Sequence, residues 1–151
     1  MKLKYLSAVL LTLILAIPLH AQSAAQEIEA LLSTDAVTYA QAARFLLEAS
    51  GKMKTSDPQE AFRYAMEQNW LPKKTSEGEK ARLDGISKLL TRSFDMKGGV
   101  MYSITKNAHF SYRELVSRNF IQGRTSSSMN VSGRELLIIT GRILSEIEQG
   151  D

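Results

Sequence analysis

Apolar residues recur along most of this chain at helical spacing, in blocks separated by polar links; the first block is different. Lys2 and Lys4 precede a predominantly apolar run from Leu6 to Ile17, and Pro18 then breaks it just before Leu19-His20-Ala21. A charged start, a short apolar stretch and a small-residue site form the layout of a secretory signal peptide. The run of about 12 residues is too short for a membrane span, which needs about 20. The expectation is a signal peptide over 1–21, a mature chain beginning near Gln22, and a periplasmic or secreted protein with no integral membrane span after cleavage.

Past that point the periodicity is α-helical. Ile28, Leu31 and Leu32 predict a short N-terminal helix or linker within 22–36. Thr38 and Gln41 are spaced as a capping box, and Ala42, Phe45, Leu46 and Ala49 form an apolar stripe ended by Gly51. Asp57-Pro58 starts another helix, carrying Ala61, Phe62, Ala65 and Met66 and closed by Trp70-Leu71-Pro72. A helix over about 79–94 places Leu83, Ile86, Leu89, Leu90 and Phe94 on one face. Gly85 inside it costs about 1 kcal/mol relative to Ala, which implies close packing against another backbone.

Lys97-Gly98-Gly99 reads as a turn, and 100–105 as a short extended segment rich in β-branched and aromatic residues. Helix returns from about Ser111 to Phe120, with Tyr112, Leu115 and Val116 on one side. A serine-rich loop spans Arg124 to Asn130. The last helix, about Ser132 to Ile147, carries Leu136, Leu137, Ile139, Ile143, Leu144 and Ile147. The fold class is mainly α: a compact bundle of five to six helices in a pseudo-repeated long-helix, short-helix arrangement with one short extended segment. Residues 37–151 make a single domain.

Composition removes several function classes. The chain has 19 Lys and Arg against 16 Asp and Glu; without Lys2 and Lys4 this becomes 17 against 16, a net charge of +1. A nearly neutral mature chain has no electrostatic footprint for nucleic acid. There are no cysteines, so there is no disulfide framework, no thiol nucleophile and no lipoprotein attachment point. Stability has to come from an apolar core, and about 130 mature residues suffice for one ordinary domain.

The helices also repeat. Ala43-Arg44-Phe45-Leu46, Ser87-Lys88-Leu89-Leu90 and Gly141-Arg142-Ile143-Leu144 share a small residue, a basic residue and two apolar ones. In this pattern the small residue allows close helix approach and the basic one reaches solvent. At an offset of 50, Phe62, Ala65, Trp70 and Leu71 correspond to Tyr112, Leu115, Phe120 and Ile121. Each short helix thus ends in an aromatic-aliphatic pair suited to plug a groove.

Val37-Thr38-Tyr39-Ala40-Gln41-Ala42 and Val131-Ser132-Gly133-Arg134-Glu135-Leu136 resemble two degenerate copies of the Thr-Arg-Ala-Glu-like start of the S-layer homology (SLH) repeat. The resemblance covers about residues 36–147 and implies alternating longer and shorter helices joined by loops. In family members that hold a secondary cell-wall polysaccharide, the motif's Arg contacts the ligand. Tyr39 and Gly133 stand at its positions here, and Gln41 replaces the Glu that survives as Glu135. The departures put polysaccharide binding in doubt while leaving the architecture.

Catalytic and metal chemistry finds little purchase. His109 is the one histidine after the leader, so a Ser-His-Asp triad would need it together with Ser111 or one of Ser126 to Ser128, and no Gly-x-Ser-x-Gly elbow is present. One histidine with scattered carboxylates makes no metal-ligand set, no cofactor motif is present, and Gly98-Gly99 lacks a phosphate-loop context. Glu114 and Glu135 are the acids a small envelope hydrolase would use. The leading expectation is a non-catalytic exported module that binds or organises an envelope protein or cell-wall polymer; a purely structural assembly subunit is the third reading. Candidate partner-binding residues are Trp70, Tyr112, Phe120, Arg134 and Glu135, beside the loops Lys52 to Ser56, Lys73 to Gly78 and Arg124 to Asn130.

Overall fold

The architecture is taken from a computed structural model, which describes residues 25–97 and 107–150. Among these the chain is mainly helical, with six helices and no strand. Helix α1 covers 25–32, α2 Tyr39–Ala49, α3 Pro58–Glu67, α4 Leu83–Ser93, α5 Ala108–Ser117 and α6 Gly133–Gly150. The leader and the extended segment expected over 100–105 lie outside the described residues.

Helix starts follow local chemistry. Thr38 and Gln41 form a complete capping box on α2, and Asp57 caps α3 with Pro58 in its first turn. Ser132 and Glu135 exchange the same reciprocal bonds at α6, 3.2 Å and 3.5 Å long. Helix α4 starts at Leu83, four residues later than its hydrophobic pattern suggests. Arg82 offers no side-chain cap there. Instead the amides of Leu83 and Asp84 donate to the carbonyls of Met129 and Ser127, each at 2.9 Å. A neighbouring loop satisfies the orphan donors of the helix end.

The bundle closes around three residues that precede the long helices. The Val37 amide donates to the Val131 carbonyl (2.9 Å), Val131 to Ala81 (2.9 Å), and Ala81 back to Val37 (2.8 Å). All three residues are fully buried. Each gives one backbone hydrogen bond and receives one, so a closed ring ties together the N-terminal ends of α2, α4 and α6. Below it, Leu46, Leu47, Ile86, Leu90, Leu136 and Ile139 belong to the apolar core. Buried hydroxyls answer their own helices: Ser87 donates to Leu83 O at 2.5 Å and Thr140 to Leu136 O at 2.7 Å.

The offset of 50 holds in the backbone. Asn69 and Asn119 both adopt left-handed φ, 57° and 60°, ending α3 and α5. The amides that follow them match as well: Trp70 donates to Ala65 O and Phe120 to Leu115 O, each at 2.9 Å.

The third copy of the small-basic-apolar-apolar pattern is displaced. The ring pairs position 81 with 131, which makes Leu137 rather than Gly141 the counterpart of Ser87. Gly141 is exposed, and a Cβ there would meet nothing within 4 Å. A slip of four residues rotates a helix face by only about 40°, so periodicity alone did not separate the two registers.

Two other glycines do mark close approaches. A Cβ on Gly133 would lie 1.7 Å from Leu31 O, so α1 crosses the start of α6 at backbone contact. Gly85 is crowded by the Tyr39 side chain rather than by backbone. At the far end of α6, Ile147 is exposed beyond the core, as is Val116 on α5.

Candidate functional site

Two adjoining cavities lie where the end of α5 meets the outer half of α6. One cavity of about 420 Å³ is bounded by Phe94, Glu114, Arg118, Phe120, Glu146 and Ile147. A broader, open one of about 520 Å³ adjoins it, with Gln122, Ile138, Gly141, Arg142 and Ser145 in its walls. Arg118, Phe120 and Glu146 border both.

Phe120 is the fixed point of this region. Its ring is buried, with the Arg118 guanidinium 5.1 Å from the ring centroid. Arg118 also pairs with Glu146 across to α6. The Phe120 carbonyl accepts from Arg142 Nη1 at 2.8 Å, and Arg142 Nη2 reaches Gln122 Oε1 at 3.1 Å. An arginine therefore holds each side of the aromatic residue. The exposed floor at Gly141 carries no side chain.

Other expected residues have different placements. Trp70 is half-buried and meets Tyr64 edge-on, with ring centroids 5.7 Å apart. It covers the end of α3 rather than plugging the core as Phe120 does. The Tyr112 hydroxyl lies 2.9 Å from Thr125 Oγ1 and pins the serine-rich loop. Arg134 is exposed on the first turn of α6, and Glu135 completes the cap there. Glu114 borders the smaller cavity, while Glu135 belongs to the opposite end of α6 from Glu146. The two acids proposed for a hydrolase thus occupy separate places.

His109 lies in the first turn of α5, where its amide donates to the capping Asn107. Ser111 is buried and donates to Asn107 O at 3.1 Å, which commits its hydroxyl to the helix. Among the described residues no group of three or more His, Asp or Glu side chains is placed to hold a metal ion, and no helix is long and apolar enough to cross a membrane.

No protein-family model, curated protein or solved structure matches this chain.

The basic residues of the repeated pattern do not simply reach solvent. Arg44 Nε donates to Thr55 O at 3.0 Å, Lys88 Nζ to Leu71 O at 3.2 Å, and Arg142 to Phe120 O. Arg44 also grips both carboxylate oxygens of Glu27, fastening α1 to α2. Each of these half-buried cations donates to a backbone carbonyl of another segment. Sequence spacing identified these residues, but the carbonyl each one meets comes from a different segment.

Proposed function

We propose that the protein is a non-catalytic module of the cell envelope, exported with its leader removed, that binds or organises a protein or cell-wall polymer. The observation that carries this reading is the pair of adjoining cavities around Phe120. Their polar rim is held in place by Arg118–Glu146 and Arg142–Gln122, and the broader cavity is open at Gly141. Pre-positioned donors and acceptors beside an aromatic residue suit recognition, because little side-chain entropy is lost when a partner docks. The SLH-like reading of the repeat draws support from the matching caps, Thr38 with Gln41 and Ser132 with Glu135.

The test is capture of purified wall material and envelope extract by the mature protein, comparing the parent with Arg142→Ala and Gln122→Ala. Loss of capture in these variants, with unchanged melting, supports the reading; capture indifferent to both removes it. Mass spectrometry of the native protein should find an N-terminus near Gln22, and an intact Met1 in the cytoplasm would refute export.

Glu114 at the wall of the smaller cavity favours a second reading, a small envelope hydrolase with this residue as its acid. Hydrolysis of wall material that disappears in Glu114→Gln would replace the binding module with the enzyme.

A further inference from the structure

The partly exposed stripe of α4 carries Lys88 and Arg92, a concentration of positive charge that no ion pair among the described residues neutralises. Lys88 and Arg92 are four residues apart on this helix, so their side chains share a face and repel one another. Lys88 Nζ is held 3.2 Å from the Leu71 carbonyl, which brings it beside the loop that supplies Lys73 two residues later. Burial, then Arg92, then Lys73 push the Lys88 ammonium below its ordinary pKa.

The nearby acids are committed elsewhere. Asp84, one turn before Lys88, pairs with Arg82 and accepts from the Gly85 amide. Asp95, three residues past Arg92, pairs with Lys52. Glu77 accepts from Gln59 and Glu79 from the Ser76 amide. None of the ion pairs among the described residues includes Lys73, Lys88 or Arg92.

Arg92 adds an independent observation. Its Nε is buried and has no hydrogen-bond partner. A cation in the last turn of a helix is favoured by the helix dipole, which accounts for the charge but leaves this donor unpaired. A buried donor without an acceptor has lost its water and gained nothing in return. An anion with several acceptor oxygens would relieve both the unpaired donor and the like-charge repulsion.

We propose that Lys73, Lys88 and Arg92 form an oxyanion site that takes a phosphate group. Three cations favour phosphate over carboxylate. A phosphate monoester carries close to two negative charges near neutral pH and offers three acceptor oxygens, so it balances more of the charge and can meet donors from both α4 and the loop. Half-buried Trp70 precedes Leu71, so an organic group attached to the phosphate would have an aromatic neighbour. This site belongs to the α3–α4 region and is independent of the Phe120 cavities: capture through those can fail while phosphate binding succeeds, and the reverse.

The test is calorimetric titration of the full mature chain with inorganic phosphate, acetate and glucose 6-phosphate at moderate salt. Saturable one-to-one phosphate binding is expected, weakened by about tenfold or more in Arg92→Gln and in Lys88→Met and unchanged in Lys54→Met, an exposed lysine elsewhere. Acetate should bind at least about tenfold more weakly than phosphate. If Lys88→Met loses its fold, Arg92→Gln and Lys73→Met decide the matter. Tighter binding of the sugar phosphate, with the gain lost in Trp70→Ala, assigns the phosphate to a saccharide; equal binding of both assigns the site to free phosphate. Absence of saturation, binding of acetate equal to that of phosphate, or equal weakening in Lys54→Met would overturn the site.

Discussion

The Tyr39 side chain occupies the space that a Cβ on Gly85 would need: the built Cβ lies 2.4 Å from the hydroxyl oxygen and 2.7 Å from Cε1. The hydroxyl also accepts the Arg82 amide at 3.2 Å. Tyr39 thus joins the first turn of α2 to the start of α4, and only glycine at position 85 admits it. Gly85→Ala should destabilise by about 1–3 kcal/mol through overpacking, against a gain of about 1 kcal/mol in helix propensity. Tyr39→Leu, which removes the ring, should restore tolerance of Gly85→Ala. Denaturant melts of both singles and the double variant measure the coupling, and additive effects would contradict the contact.

The same tyrosine makes stability depend on alkaline pH. Burial chiefly raises its pKa above the ordinary value of 10.0, with the Arg82 hydrogen bond acting in the opposite direction. The unfolded chain therefore loses this proton first, and the folded state holds more protons above pH 10. The contribution of neutral Tyr39 is complete below about pH 10 and is lost as pH rises through the folded value. Urea melts of the parent should weaken more steeply above about pH 10 than those of Tyr39→Phe. The depressed Lys88 works in the other direction, but it is common to both proteins and cancels in the comparison.

The backbone ring should be among the last structures to open. None of Val37, Ala81 and Val131 lies within a helix, yet their amides are buried and paired in a closed cycle. Hydrogen exchange at all three should require global unfolding, as in the central turns of α2 and α4. Ala81→Pro removes one donor and leaves the Val37 carbonyl unanswered, at a cost of about 1–3 kcal/mol. Fast exchange at these amides under native conditions would show the ring to be dispensable.

The two aromatic plugs should differ in their contribution to stability. Phe120 is 3 % exposed, so Phe120→Ala should cost about 3–5 kcal/mol. Trp70 is half-buried, and Trp70→Ala should cost clearly less. Equal losses in paired denaturant melts would mean that Trp70 is as deeply packed as its counterpart.

Ser87 and Gly141 separate the two registers of the repeat. Ser87 is fully buried, whereas Gly141 faces open space. Ser87→Leu should overpack the bundle by about 1–3 kcal/mol, while Gly141→Leu should be neutral or slightly stabilising, since it replaces glycine in an exposed helix. Destabilisation of both to the same degree would restore the displaced alignment.

The sequence by itself determined the helices and much of their repetition, because caps and apolar spacing act over a few residues. Thr38 with Gln41 and Asp57 with Pro58 announce their helix starts, and Leu46, Ile86, Leu136 and Leu115 announce the buried faces. The correspondence of Trp70-Leu71 with Phe120-Ile121 was also legible, since their backbones close α3 and α5 by the same local bonds. Tertiary structure decided what depends on partners distant in the chain. The start of α4 is set by carbonyls of Met129 and Ser127, and the ring of Val37, Ala81 and Val131 joins segments whose side chains carry no sign of backbone pairing. Gly85 could be recognised as a close approach, but the identity of its neighbour, the Tyr39 ring, follows only from how α2 and α4 cross. The same holds for charge: Asp84 and Asp95 sit close enough in sequence to neutralise Lys88 and Arg92, and only the folded geometry turns those acids toward Arg82 and Lys52.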